Sequence, residues 1–236
     1  MTMLKPIVTV LLSAWLSAPA FAQEFLPPIE RFSSSKPGYL VTKAGERVEF
    51  ILDDLDRKKG LIVRIEGKTL EGKKFKYEAD EVVELGLAPS DFAKFSSAME
   101  STRSIDKMQR TQVGESTRNL VMFYQEQLDE PKRTVLVQLI NPGFDSKIRV
   151  YHDPFAMETM GVGFAGVQVT GGIDMSYYIK ANGKVFRLKK KNYDDEFGTL
   201  FGSCPALKTQ FKRIVWRDLG GHVFFFDREC GPVAAR

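Results

Sequence analysis

The sequence predicts an α+β chain that is mainly β: a small N-terminal barrel-like module, a second antiparallel β region, and C-terminal helices. Three observations predict this. Between Gly38 and Leu87, and again between Thr117 and Lys191, short apolar runs alternate with polar residues at period two, the spacing of strands with one buried face. Asn182-Gly183 stands between two such runs, and a tight type I′ hairpin turn needs positive φ at both central positions. From Tyr193 onward the spacing changes, so that Tyr193, Phe197, Leu200, Phe201 and Cys204 fall on one helical face.

The first element is a leader, residues 1–22. "MTMLK" carries one positive charge at Lys5, the run "PIVTVLLSAWLSAPAFA" is apolar, and it ends in the small-x-small pattern Ala20-Phe21-Ala22. This is the three-part layout of a secretory signal peptide. Pro6 and Pro19 interrupt a run that is already short for a membrane span. Cleavage is expected after Ala22, leaving Gln23 first; an uncleaved N-terminal anchor is the alternative. No comparable apolar stretch follows, so no membrane span is expected after cleavage. No cysteine stands at the exit site, so a lipid anchor is not indicated.

Residues 23–37, "QEFLPPIERFSSSKP", read as an extended, mobile lead-in, with order beginning at Gly38. Residues 38–90 form the small β module. "GYLVT" and "RVEFIL" flank the turn "KAGE" as a hairpin. In "LIVRIE", Leu61, Val63 and Ile65 are expected on one face; in "GKKFKYE", Phe75 and Tyr77 point inward. Asp80 is read as capping a short helical turn, "EVVELG", stopped by Gly86. Four strands and that turn make a small open barrel or curled sheet.

Residues 91–114 are rich in serine, threonine and charge and read as a linker. Phe92, Phe95 and Met99 give it one short helix. Residues 115–191 are the antiparallel β region: "NLVMFYQEQL" and "RTVLVQLIN" around "DEPK", then "KIRVY", a glycine-rich stretch, "MSYYIKA" and "KVFRLK". Residues 192–236 are the helical tail packed on the β region. Asp194, Asp195 and Glu196 suit the first turn of a helix, and Pro205 breaks it and opens a second. Leu207, Phe211, Ile214 and Val215 make another apolar stripe. Asp218 suits the cap of a third helix, while Gly220, Gly221 and "VFFF" fit a strand equally, so 218–230 stays open between the two.

Composition narrows the function classes. The chain has 34 basic and 30 acidic residues, and loss of Lys5 with the leader leaves a net charge of +3. That mild excess lacks the concentrated basic face of a nucleic-acid binder, so no nucleic-acid partner is expected. The densest cluster, "RLKKK" at 187–191, reads as a solvated strand end. Cys204 and Cys230 are the only cysteines. In an oxidising compartment an even pair reads as one disulfide. Two buried thiols are the alternative. With no CxxC spacing, no metal site is expected.

"KPGYLVTKAGERVEF", "FKYEADEVVELGL" and "SYYIKANGKVFRLKKKNYDDEFGTLFGSCPAL" together resemble an uncharacterised family of signal-peptide-bearing exported proteins of Bacteroidota bacteria. The likeness runs over most of the mature chain. It weakens where Phe224, Phe225 and Phe226 replace a tyrosine-rich final helix. The resemblance implies export and architecture, and it offers no catalytic residue to transfer.

"GVGFAG" at 161–166 matches a dinucleotide-binding glycine pattern. Such a loop must leave a buried strand and open a helix. "VQVTGG" follows instead, which is strand-like and then broken by two glycines, so no nucleotide and no other cofactor is expected. Gly161, Val162, Gly163, Phe164 and Gly166 are read as a contact segment for a partner; packing of Val162, Phe164 and Val167 on the core is the alternative. His152 and Asp153, adjacent after a strand, are a general-base or metal fragment only if a turn makes them converge. His222 is read as a polar neighbour of the cap at Asp218. "FGSCPA" lacks a nucleophile elbow around Ser203, and the acids of "YDDEF" are explained by a helix start. The expected function is therefore a non-enzymatic β-rich binding or scaffold protein, periplasmic or extracellular, meeting an envelope protein or cell-surface partner. A secreted hydrolase of unrecognised type using His152 and Asp153 is the alternative.

Overall fold

The structure, a computed structural model, describes residues 25–93, 120–129, 132–156 and 176–231. Seven antiparallel strands make the first sheet: β1 (Pro37–Thr42), β2 (Arg47–Lys58), β3 (Leu61–Thr69), β4 (Lys74–Glu78), β5 (Val82–Leu87), β6 (Val121–Asp129) and β7 (Lys132–Gln138). Their order is β2-β1-β5-β6-β7-β3-β4, and an added β2–β3 pairing closes six of them into a barrel with β4 as an extra strand. The mainly β, α+β class expected from the sequence is what is observed. The barrel draws on strands from both sides of the 91–114 segment.

Closure depends on two bulges. Opposite β3, strand β2 carries one extra residue at Asp53; opposite β2, strand β3 carries one extra at Val63. Each inserted residue bends its strand and reverses which side chains face inward beyond it. Hence Ile62 and Ile65, three apart, both fill the barrel with Leu40, Phe50, Leu85 and Phe123. Leu61 and Val63 pack outside it. The single face expected for Leu61, Val63 and Ile65 is thus split by the bulge.

After Glu81, "EVVELG" is a strand rather than a helical turn. The turn comes earlier, as a 3-10 helix at Ala79–Glu81, where Glu81 Oε2 accepts the Glu78 amide at 2.8 Å. The β-branched Val82 starts β5, which pairs with β1 on one side and β6 on the other. Gly86 stops nothing. A Cβ there would lie 2.5 Å from the Tyr39 ring, so glycine is required for that ring to lie on the sheet. The Tyr39 hydroxyl donates to Glu84 Oε1 at 2.5 Å, and the Arg47 guanidinium sits 3.5 Å above the ring.

The lead-in is extended as expected, but it is docked. Phe25 packs edge-on against Tyr177, Leu26 donates its amide to the Ile140 carbonyl, and Phe32 pairs with Pro89. Aromatic side chains hidden among its prolines and serines supply the anchor. Residues 91–93 begin a helical turn; Phe95 and Met99 lie outside the described residues.

The second sheet has the order β10-β9-β8, from β8 (Ile148–Tyr151), β9 (Ser176–Ala181) and β10 (Lys184–Lys189). Asn182 and Gly183 have φ of 51° and 74°, the expected I′ hairpin. The chain leaving β7 runs on beside β8, with Ile140 N–H to Val150 O and His152 N–H to Gln138 O, both 2.9 Å. One chain run therefore serves both sheets. Leu61, Leu128, Val135, Val137, Tyr151 and Tyr178 fill the space between barrel and second sheet.

Helices α1 (Tyr193–Phe201), α2 (Pro205–Gln210) and α3 (Leu219–Glu229) complete the described fold. Tyr193, Phe197, Leu200 and Phe201 are buried on one face, as their spacing predicts. Helix α2 stops at Gln210, so Phe211 and Ile214 reach the core from a loop, half-buried. Residues 219–229 are helical with Val223 and Phe226 buried, which settles the helix–strand ambiguity. Asp218 occupies the N-cap position but makes no side-chain capping bond. Cys204 and Cys230 are joined as a disulfide with Cα atoms 5.6 Å apart, tying the end of α1 to the end of α3. Among the described residues no helix is long and apolar enough to cross a membrane.

Candidate functional site

The region where β8 ends concentrates the polar chemistry. Past Tyr151, the main-chain bond from His152 N–H to Gln138 O keeps the backbone extended, so neighbouring side chains point to opposite sides. His152 lies half-buried on the wall of a surface cleft. Asp153 turns inward and is fully buried.

The Asp153 carboxylate is saturated by the fold. Oδ2 accepts Arg187 Nε–H at 2.5 Å and the Ser176 hydroxyl at 2.6 Å; Oδ1 accepts the Phe155 amide at 2.9 Å. Arg187 also stands 5.5 Å from the Phe155 ring centre. Burial of a carboxylate is tolerable only with such pairing. Ser176 opens β9 and Arg187 lies within β10, so the acid joins the end of β8 to both other strands of its sheet. Arg187, grouped by sequence with a solvated basic run, is thus an internal partner. The exposed members of that run are Lys190 and Lys191.

A second buried acid escaped the sequence reading. Glu126 on β6 is 5% exposed, accepts the Tyr151 hydroxyl at 2.5 Å, and pairs with Lys180 at 2.8 Å and 3.0 Å. Burial, then the Glu126 carboxylate, push the Tyr151 phenol far above its ordinary value. This cluster ties the barrel wall to the second sheet. Its signal was period two: Tyr124, Glu126 and Leu128 share a face, and Leu128 is buried.

His222 is wholly buried in an aromatic cage. Phe211 is 4.4 Å away centre to centre, with Tyr193, Phe197 and Phe201 around it. Nδ1 is hydrogen-bonded to the Tyr193 hydroxyl, and Nε2 is buried with no hydrogen-bond partner. Burial lowers its pKa to about 4, against a smaller upward pull from Asp218. Its surroundings are those of a neutral core residue.

The cleft beside His152 measures about 190 Å³. Its floor is the barrel end, with Ile62, Phe123 and Leu136; its rim carries Arg57, Gln138 and Pro154. Arg57 Nη2–H donates to the Glu30 carbonyl at 3.1 Å, and Gln138 Oε1 accepts the Ile29 amide at 3.2 Å. Sequence reasoning missed Arg57 and Gln138 because distant pairing places them: β2–β3 and β3–β7 bring Arg57 to the cleft, and the run beside β8 sets Gln138 against His152. Gly161, Val162, Gly163, Phe164 and Gly166, the predicted contact segment, lie outside the described residues. Among the described residues no cluster of three or more histidine, cysteine or acidic side chains is placed to hold a metal. Comparison with protein-family models, curated proteins and solved structures finds nothing that matches this chain.

Proposed function

We propose that this protein is exported and acts without catalysis, as a β-rich binding or scaffold module of the bacterial envelope. The observation that carries this reading is the divergence of His152 and Asp153. A hydrolytic reading would use these two, yet the acid faces inward with every oxygen occupied by Arg187, Ser176 and the Phe155 amide. A general base must reach the proton it abstracts, and this carboxylate reaches only its structural partners. The Cys204–Cys230 bond supports an oxidising compartment. The leader-like residues 1–22 and the likeness to exported Bacteroidota proteins support export to the envelope.

Expression from the native leader tests the compartment. Mature chain beginning at Gln23, with no titratable thiol, is the expected product; cytosolic precursor with both thiols free would overturn export. Affinity capture from native envelopes with the tagged mature chain tests binding. The Gly161–Gly166 contact segment is tested by a variant lacking residues 161–172, which should lose the partner; identical recovery by both removes that assignment. Turnover of ester, amide or glycoside substrates that disappears with His152→Ala would replace the binding reading with the hydrolase.

A further inference from the structure

We infer that the cleft at the barrel mouth is a binding site for a small organic monocarboxylate, with the apolar part on the barrel floor and the carboxylate on Arg57. Barrel mouths are common ligand positions, and pockets there combine an apolar lining with a few placed polar groups. Here the edges of Ile62, Phe123 and Leu136, barrel residues only 1–4% exposed, form the apolar base, and Arg57 stands at the rim beside Glu30. Its volume of about 190 Å³ sets the ligand's size. An apolar cavity of about 150 Å³ accommodates benzene, so a single ring or a short aliphatic chain fits, and a nucleotide or lipid does not.

The site is preformed. At the β2–β3 turn Gly60 has φ of +80°, and a Cβ there would lie 2.5 Å from Pro154, so the hairpin tip and the His152–Pro154 wall are in direct contact. Gln138 is buried and fixed by the Ile29 amide. Arg57 is held by the Glu30 carbonyl and lies 5.8 Å from the Phe32 ring centre. That carbonyl engages one N–H of a group with five, in a fork that matches a carboxylate. Burial depresses the Arg57 pKa, an effect partly offset by Glu30 and then Asp54. A partly desolvated cation gains from an incoming anion. Glu30 and Asp54 are themselves exposed beside it, so a single negative charge is favoured over a phosphate or dicarboxylate.

The assignment goes beyond the envelope-binding reading, and either can fail alone. The test is titration of the ¹⁵N-labelled mature chain with benzoate and hexanoate, against benzamide and benzylamine as neutral and cationic controls. Benzoate and hexanoate should shift the amides of Ile62, Leu136 and Gln138, with benzamide at least about tenfold weaker. Arg57→Met should abolish the preference for the acid, and Arg57→Lys should keep part of it. The comparison between benzoate and benzamide on the unmodified protein stands even if a variant misfolds. Equal response to the neutral probe, shifts only away from the cleft, or no response to either acid would overturn the site.

Discussion

Lys147 and Cys230 are 83 positions apart in sequence, and the Lys147 ammonium donates a hydrogen bond to the Cys230 carbonyl. The same ammonium takes the Phe226 carbonyl at 2.9 Å and the Asp227 carbonyl at 2.6 Å. The last carbonyls of a helix have no internal partner and carry partial negative charge. Lys147 therefore caps α3 from the loop before β8. In return the Asp227 carboxylate accepts the Ser146 amide, the Ser146 hydroxyl and the Lys147 amide. Replacing Lys147 with Met should cost about 2 kcal/mol, the scale of charge-assisted bonds at a half-buried site. Urea denaturation of Lys147→Met and Lys147→Arg would check it; an unchanged midpoint for the Met variant would remove the cap.

The disulfide closes the same corner. Its partners are 26 residues apart, and a loop of that length contributes about 3 kcal/mol where loop-closure entropy governs. The paired Cys204→Ser, Cys230→Ser variant should lose about that much, matching wild type under reducing conditions. Equal stability of oxidised and reduced wild type would show that the helices hold without it.

His222 makes stability depend on pH. Its folded pKa of about 4 lies below the ordinary 6.5 because its cage excludes water. Between those values the unfolded chain binds more protons, so stability rises with pH across the window. The full value holds above about pH 6.5 and falls as acid is added, by up to about 3 kcal/mol below pH 4. Asp218 opposes this weakly, and the Tyr193 phenol, raised by burial, stays neutral throughout. The His222→Phe variant should flatten the slope between pH 4 and 6.5 relative to wild type, measured by denaturation midpoint at each pH.

Local signals carried over from sequence to structure. Asn182-Gly183 fixed its hairpin because both positive φ values are a property of those two residues. The spacing of Tyr193, Phe197, Leu200 and Phe201 fixed their helix because spacing alone defines a face, while Cys204, expected on the same face, falls past the helix end before Pro205. What did not carry over is set by distant neighbours. A bulge such as Val63 leaves no mark in composition yet reverses every later side chain on its strand. Gly86 resembled a helix stop, and its true reason is the Tyr39 ring from another strand. In the candidate site, the adjacency of His152 and Asp153 was legible, but the partner that defines Asp153 was counted in a basic run. Arg187 is 34 residues away, and the β8–β9 and β9–β10 pairings together bring it to Asp153.

Asp153 and Arg187 should behave as a unit. The acid is 0% exposed and the Arg187 side chain 19% exposed, so removing either leaves the other's charge with little water. Breaking a buried pair on one side costs about 3–5 kcal/mol, whereas replacing both partners can be nearly neutral. Arg187→Met alone should therefore destabilise strongly. Asp153→Asn alone should do so less, because its amide oxygen still accepts from Ser176. The double variant should lose far less than the sum of the two single losses. Ser176→Ala removes one neutral donor and should cost about 1 kcal/mol. A double-mutant cycle by urea denaturation reads the coupling directly. Additive losses would mean that the carboxylate is held chiefly by the Phe155 amide and Ser176, and that Arg187 serves mainly to cover the Phe155 ring.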